Sequence, residues 1–179
     1  IVWRLRRIDA PRPRAVIGAC AERFGWSQYR RVRGRGRGFG YARYKNLAAY
    51  CAVAIEVEVD RESGFVRPVR AVSAIDSGEA VNPDGMRNQT EGGIIQPISW
   101  TLYEVVAFDT MRVTSRDWAT YPILRFSNIP DSVDVHVITR PGMPFLGTGE
   151  AAQGPTAAAL ANAVADALGV RIRELPLTR

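Results

Sequence analysis

Metal-ligating residues are scarce in this chain of 179 residues. It contains two cysteines, Cys20 and Cys51, and one histidine, His136. There is neither a Cys-x-x-Cys pair nor a Cys/His cluster, which argues against a structural zinc site and against an iron–sulfur cluster bound by this chain's own side chains. A single disulfide between the two cysteines stays open, but both thiols fit more simply as small core residues.

Long apolar runs are also missing. The longest is far shorter than the roughly 20 residues that a membrane-spanning helix needs, and no secretory signal peptide is visible. The chain is 46% hydrophobic and 23% charged, which is the ordinary balance of a globular domain with a core.

The positive charge is concentrated at one end. The net charge is +6, and the excess of basic residues lies within the first 45 residues. Such an end is typical of proteins that bind nucleic acid or acidic partners, or of a solvated arm. Residues 1–33 are predicted to form a basic helical segment. Its helix covers residues 13–24, ends near Gly25 and carries Cys20 on its apolar side.

Alternating glycines run from Gly34 to Asn46 in the sequence GRGRGFGYARYKN. Three interpretations compete. The segment could bind nucleic acid, with Phe39, Tyr41 and Tyr44 stacking on bases; it could be a phosphate-cradling loop; or it could be the tightly packed or flexible start of a strand. No Lys-Ser/Thr follows the glycines as in a P-loop, and the clean alternation further on favours the strand.

Two strands are predicted next. Residues 50–60 alternate cleanly, which indicates a half-buried strand of about ten residues. A turn containing Gly64 leads to a second strand over residues 66–76, and the two most simply form an antiparallel hairpin. One set of side chains should face the core and the alternating set should face away: Cys51, Val53, Ile55, Val57 and Val59 against Ala52, Ala54, Glu56 and Glu58.

A helix is predicted to begin at Asn82, because Asn is a favourable N-cap and Pro83 suits the first helical position. Pro97 should kink or break it. The pair Gly92 and Gly93 suggests close packing of this helix against another backbone.

An irregular stretch and one more strand follow. Residues 107–132 lack periodicity, and long irregular stretches are often functional. Residues 133–140 alternate again, with His136 on the polar face, where we expect it to be an ordinary surface residue.

The stretch 141–169 combines a glycine-rich loop with a helix of small residues. In the loop, Gly147 and Gly149 bracket Thr148 and precede Glu150. Glycines allow a positive φ and a close approach of the backbone to a ligand. A carboxylate on a tight loop beside a helix start is a candidate general base, but by itself it is more often a solvated loop residue.

The helix after this loop is predicted over residues 155–168. Gly154 and Pro155 suit the N-cap and the first helical position, and Gly169 suits the C-terminal end. The apolar stripe of the helix should contain Ala157, Leu160, Ala161, Val164 and Leu168.

The order of these elements predicts an α+β fold, with a mainly antiparallel sheet and helices packed on one face. No repeat of fixed period and no domain linker divide the chain, so residues 1–179 are treated as one unit.

Five segments, in this order along the chain, carry a more specific signal: GRGFGYARYKNLAAYCAVAIEVEVD, AIDSGEAVNPDGMRNQTEGGIIQPISWTLYE, DWATYPILRFSNIPDSVDV, PFLGTGEAAQGPTAAALANAV and GVRIRELPL. Together they resemble the C-terminal part of the molybdopterin-binding large subunit of the molybdenum hydroxylases, the xanthine dehydrogenase and aldehyde oxidase family. The resemblance is strongest to the branch with isoquinoline 1-oxidoreductase and aldehyde dehydrogenase-like subunits.

The resemblance implies oxidative hydroxylation of an aldehyde or an N-heterocycle, with water as the oxygen source. Glu150, in the motif Gly147-Thr148-Gly149-Glu150, then takes the part of the catalytic base. Gln89, in the Gln-x-Glu-Gly segment, is expected to hydrogen-bond near the molybdopterin, and Gly147 and Gly149 to lie beside it. No protein ligand to the metal is expected, because the pterin dithiolene brings its own sulfur ligands.

The resemblance also implies partners. An N-terminal part of the large subunit would supply the upstream loops that hold the pterin, and an iron–sulfur subunit would carry electrons away. The chain alone is therefore expected to bind no cofactor, to be inactive and to expose surface that favours a homo-oligomer. Nucleic acid is not expected as a partner, and both a cytoplasmic and a periplasmic complex fit. The alternative is a stand-alone, non-catalytic remnant or interaction domain of this family.

Overall fold

The computed structural model describes residues 1–178, which contain four α-helices and four β-strands. Their bounds are, in chain order, α1 (Val2–Leu5), α2 (Pro11–Phe24), β1 (Arg35–Arg43), β2 (Tyr50–Val59), β3 (Val66–Asp76), α3 (Pro83–Leu102), β4 (Ser132–Val137) and α4 (Gln153–Leu168). Single 3-10 turns lie at Trp26–Gln28, Tyr44–Asn46 and Phe126–Asn128.

The strands form one sheet in the order β1-β2-β3-β4. β1, β2 and β3 pair antiparallel, and β4 joins the edge parallel to β3 after the crossover through α3 and the irregular stretch. The α+β class, the mainly antiparallel sheet and the hairpin of β2 with β3 are therefore confirmed. The last strand is shorter than predicted, since β4 ends at Val137.

Helices cover both faces of the sheet, whereas the sequence predicted helices on one face. Val53 and Ile55 of β2 pack with α3 and α4, as expected for the core face. On the opposite face, Ala52 and Ala54 are fully buried beneath α2. The prediction that β2 is half-buried is therefore wrong. Alanine is found both beneath a helix and on an exposed face, so the sequence does not indicate that a helix covers these two residues.

The alternating glycines form a complete strand, β1, and they contact α4 directly. A β-carbon added to Gly36, Gly38 or Gly40 would meet a backbone carbonyl oxygen of α4. The distances would be 2.1, 1.8 and 2.0 Å, to Ala163, Ala159 and Pro155 respectively. Only glycine allows this approach of helix to strand, so the alternation is a packing motif. The Phe39 side chain points to the opposite face of the sheet, where it is buried with residues of α2 and is not available to stack on a base.

α3 begins as predicted, because the Asn82 side chain accepts a hydrogen bond from the Gly85 N–H at 2.9 Å. Of the two effects predicted for Pro97, a kink or a break, the break does not occur, since the helix continues past this buried proline to Leu102. The close packing of Gly92 and Gly93 against another backbone is also not found. A β-carbon on Gly92 would meet nothing within 4 Å, and one on Gly93 would lie 3.5 Å from the Ala152 side chain, an ordinary contact.

α4 begins at Gln153, two residues before the predicted start, and ends at Gly169 as predicted, with φ of +79° at this glycine. Of the predicted apolar stripe, Leu160 and Val164 are buried. Ala161 and Leu168 are partly buried and pack against the same core cluster, whereas Ala157 is not part of it. The other buried residues of the helix are Pro155, Thr156, Ala159, Ala163 and Ala167.

The stretch predicted to be irregular, residues 107–132, is mostly so up to residue 131, and it exposes several large apolar side chains. Cys20 and Cys51 are free and buried on opposite faces of the sheet, so the bridge between them that the sequence left open does not form. Within residues 1–178, no helix combines the length and hydropathy required to span a bilayer.

Candidate functional site

The loop that carries Glu150 lies over the C-terminal end of β3. The Leu146 N–H donates to the Ser77 carbonyl oxygen at 2.6 Å, and the hydroxyls of Ser77 and Thr148 lie 3.1 Å apart. Ser77 follows β3 directly, so these contacts hold the loop against the end of an inner strand of the sheet.

Gln89 contacts the same loop from α3. Its Nε2 donates to the Gly149 carbonyl oxygen at 2.8 Å. Both residues are exposed, and Gln89 lies in the second turn of α3, on the side that faces the loop. The structure thus brings together Gln89 and the Gly149–Glu150 peptide, which are 60 residues apart in sequence.

Glu150 is exposed, and its carboxylate has one donor among residues 1–178. The Tyr44 hydroxyl donates to Glu150 Oε2 at 3.0 Å. Tyr44 directly follows β1, in the turn that joins β1 to β2. The next two residues of this turn, Lys45 and Asn46, have positive φ values of 50° and 61°. The sequence pattern indicates Tyr44 only as a base-stacking residue; no local pattern links it to a carboxylate 106 residues away.

The two loop glycines behave differently from the expectation. Neither Gly147 nor Gly149 has a positive φ. A β-carbon on Gly147 would meet nothing within 4 Å, and one on Gly149 would lie 3.6 Å from the Tyr44 hydroxyl oxygen. The fold of this chain therefore does not itself require glycine at residue 147.

A cleft of about 360 Å³ opens beside the loop. One wall is the start of α3 and the other is the loop, and both polar and apolar side chains line it. The lining residues that matter here are Ser77, Glu79, Met86, Gln89, Phe145 and Thr148.

A buried carboxylate supports this region from behind. Asp76, the last residue of β3, has a fully buried side chain that accepts from Arg12 at 2.5 and 3.1 Å and from Arg140 at 3.1 Å. The Gly78 N–H donates to it at 3.0 Å. Burial alone would raise the pKa of Asp76, but these hydrogen bonds outweigh it and hold the pKa below the ordinary value. The sequence carries no signal for this cluster, because Arg12 and Arg140 each lie 64 residues from Asp76 along the chain.

Side-chain ligands for a metal do not converge anywhere in the described chain. Within residues 1–178, no group of three His, Cys, Asp or Glu residues could hold a metal ion. His136 is half-buried on β4, where burial and the nearby Arg23 lower its pKa.

Comparison with known proteins points to a single family. Residues 17–130 match the family described as "Molybdopterin cofactor-binding domain". The chain is 42% identical to a subunit of nicotinate dehydrogenase from Pseudomonas putida over 99% of its length, and 31% identical to the beta subunit of isoquinoline 1-oxidoreductase from Brevundimonas diminuta over 98%. It spans only 16% and 22% of those two relatives.

Solved structures give the same result. Quinoline 2-oxidoreductase from Pseudomonas putida 86 matches with a TM-score of 0.67 and 30% identity, over 72% of this chain and 17% of the other. Aldehyde oxidoreductase from Desulfovibrio gigas matches with a TM-score of 0.63 and 29% identity, over 72% of this chain and 14% of the other. The chain therefore belongs to the molybdopterin cofactor-binding domain family of the molybdenum hydroxylases, the xanthine dehydrogenase and aldehyde oxidase family.

Proposed function

We propose that this chain forms one wall of the active site of a molybdenum hydroxylase that oxidises an N-heterocycle or an aldehyde with water as the oxygen source. Glu150 is the general base, and Gln89, Gly147 and Gly149 lie beside the molybdopterin. The observation that carries the proposal is the meeting of Gln89 with the Gly149–Glu150 peptide at the edge of an open cleft.

The residues present fit the cofactor as its neighbours. Molybdopterin supplies sulfur ligands to the metal, so it needs no side-chain ligand cluster. Gly147 is exposed and a β-carbon there would meet nothing within 4 Å, so a bulky group can approach the loop backbone closely at this residue. When bound, the cofactor would supply the two-electron redox chemistry and the Lewis acidity of the metal.

In this proposal, the chemical role of the chain's own residues is to accept and transfer a proton. Glu150 Oε2 accepts from Tyr44, and no other side chain or backbone group in residues 1–178 donates to the carboxylate. Oε1 is therefore the oxygen that is left to accept a proton from the attacking oxygen nucleophile. A positioned general base contributes about 10²–10⁴-fold to the rate of such a step.

The N-heterocycle substrate class is supported by the relatives, since nicotinate dehydrogenase and isoquinoline 1-oxidoreductase are named for such compounds. Because the chain spans about a sixth of the first of these relatives, we further propose that the upstream part of a large subunit and an iron–sulfur subunit complete the enzyme. The chain alone is then inactive.

Co-expression with the polypeptide encoded immediately upstream tests this function. We expect a complex that contains molybdenum and oxidises an N-heterocycle such as nicotinate or isoquinoline. In that complex, Glu150→Gln should lower kcat by at least about 100-fold with an unchanged molybdenum content. Glu104→Gln is the matched control, since Glu104 also accepts from a tyrosine hydroxyl, that of Tyr121.

The outcomes separate the hypotheses. A complex without molybdenum, or no complex at all, would favour a non-catalytic remnant or interaction domain. A complex that contains molybdenum and loses no activity with Glu150→Gln would remove the assigned base but keep the cofactor assignment.

A further inference from the structure

We propose that Tyr44 is a positioning residue for Glu150: its hydroxyl fixes the carboxylate so that Oε1 faces the reacting atoms. This inference rests on the proposed function of Glu150 as the base. Neither the glycine-rich loop nor the resemblance of the sequence assigns a role to residue 44.

The geometry of the contact is the first step. The Tyr44 hydroxyl lies 3.0 Å from Glu150 Oε2, within the range of a normal hydrogen bond. A glutamate side chain has three rotatable bonds and, when exposed, samples several rotamers. The loop contacts described above fix the backbone on either side of Glu150, but they do not touch its carboxylate. Tyr44 alone, within residues 1–178, selects the orientation of this group.

Tyr44 is itself held rigidly, which a positioning residue must be. Its N–H donates to the Ala49 carbonyl oxygen at 2.8 Å, which closes the hairpin between β1 and β2. Its ring is half-buried and packs against the core cluster of the α3 and α4 face. The Lys45 ammonium lies 5.2 Å from the ring centroid, a cation–π distance. The hydroxyl is thus the exposed end of a side chain anchored in the fold.

The turn after Tyr44 gives an independent indication. Lys45 and Asn46 both adopt left-handed backbone conformations, which are disfavoured for residues other than glycine. Strain of this kind persists where the surrounding structure over-determines it, and it clusters at functional sites. The turn places Tyr44 directly after the end of β1, with its hydroxyl against the loop that carries Glu150.

The chemical consequence follows from the two oxygens of the carboxylate. With Oε2 engaged by the tyrosine hydroxyl, the carboxylate plane is fixed and Oε1 is available for proton transfer. Loss of the hydroxyl leaves the base present but disordered. A base displaced by about 1 Å loses up to about 100-fold in rate, and a partly disordered one should lose less.

Tyr44→Phe tests the inference, because it removes the hydroxyl and keeps the ring with its packing. Tyr121→Phe is the matched control, since the Tyr121 hydroxyl donates to Glu104 Oε2 at 2.9 Å in a second tyrosine–glutamate pair, which is partly buried. In the assembled hydroxylase, we expect Tyr44→Phe to lower kcat about tenfold and to change KM less than about twofold. Tyr121→Phe should change neither. Added to Glu150→Gln, Tyr44→Phe should cause no further loss.

A second readout needs neither cofactor nor turnover. The chain contains six tyrosines, so ¹³Cζ-tyrosine labelling gives six resonances that single Tyr→Phe variants assign. We expect Glu150→Gln to shift the Tyr44 resonance and leave the Tyr121 resonance in place, and Glu104→Gln to do the reverse.

The failures are distinguishable. An unshifted Tyr44 resonance in Glu150→Gln, or a wild-type kcat in Tyr44→Phe when Glu150→Gln is inactive, overturns the role of Tyr44 alone. A Glu150→Gln complex that still turns over at the wild-type rate overturns the proposed base, and the positioning role with it.

Discussion

Gly38 of β1 faces Ala159 of α4 so closely that a β-carbon on residue 38 would lie 1.8 Å from the Ala159 carbonyl oxygen. Real β-carbons do not approach a backbone oxygen to this distance, so helix and strand would have to separate. This contact lies where β1 and α4 meet the core, and α4 follows directly from the loop that carries Glu150.

Gly38→Ala should therefore destabilise the chain by about 3 kcal/mol or more, because neither backbone can move without losing packing. Gly18→Ala is the matched control: this residue lies within α2, and an added β-carbon there would meet nothing within 4 Å. We expect the control to stabilise the chain by about 0.5–1 kcal/mol through helix propensity. Urea denaturation measures both, and equal midpoints for the two variants would contradict the packing role of the strand glycines.

The ion-pair cluster around Asp76 predicts a pH-dependent stability. Since hydrogen bonds from Arg12, Gly78 and Arg140 hold the pKa of Asp76 below its ordinary value of 3.8, its contribution is fully present above that value. The contribution falls as the pH drops below 3.8 and through the depressed folded-state pKa. Asp76→Asn should cost about 3 kcal/mol at neutral pH, because the partly buried guanidinium groups of Arg12 and Arg140 lose their carboxylate partner.

The measurement is the free energy of unfolding of both proteins as a function of pH. The gap between the native chain and Asp76→Asn should be constant from about pH 7 to about pH 5 and should narrow at lower pH. Asp131→Asn serves as a control, since Asp131 forms an exposed pair with Arg67 and its loss should matter little. A gap that widens towards low pH would contradict the cluster.

Both cysteines should be inert in the native chain. Burial raises the pKa of Cys20 far above its ordinary value and that of Cys51 to about 12, and the thiolate is the reactive form. At about pH 8, a thiol reagent such as 5,5′-dithiobis(2-nitrobenzoic acid) should therefore label neither residue until the chain is unfolded in urea. Rapid labelling of either native thiol would show that its face of the sheet opens to solvent.

Much of this fold could be predicted from sequence because its signals are local. The hairpin of β2 and β3, the cap at Asn82 and the stop at Gly169 each depend on a few consecutive residues. The covering of the second sheet face could not be predicted, because Ala52 and Ala54 carry no polarity that distinguishes a buried face from an exposed one. The parallel pairing of β4 with β3 likewise depends on a long crossover, from Asp76 to Ser132.

The candidate site likewise has residues that the sequence indicates and one that it does not. Glu150 and Gln89 stand out through their motifs and the family resemblance, and the structure brings their neighbourhoods together. Tyr44 does not stand out, because its partner is 106 residues away and its position is set by two non-glycine residues with positive φ, which sequence patterns do not reveal. Gly36, Gly38 and Gly40 are the opposite case. Their alternation is visible in the sequence, but its packing role can be recognised only once α4 is known to lie against β1.

The contact between Gln89 and Gly149 predicts the dynamics of the Glu150 loop. Gln89→Ala removes the only side-chain hydrogen bond to the Gly149 carbonyl within residues 1–178, so the loop should open more often at little cost in global stability. We expect amide exchange over residues 146–152 to accelerate several-fold, because exposed loops exchange through local openings of low free energy. Asn88→Ala is the control, since Asn88 is the exposed neighbour of Gln89 on α3. Hydrogen–deuterium exchange with mass spectrometry of both variants measures this. If Gln89→Ala leaves exchange in the loop unchanged, Gln89 does not order the loop that carries Glu150, and its proposed role must be sought in contacts to the cofactor alone.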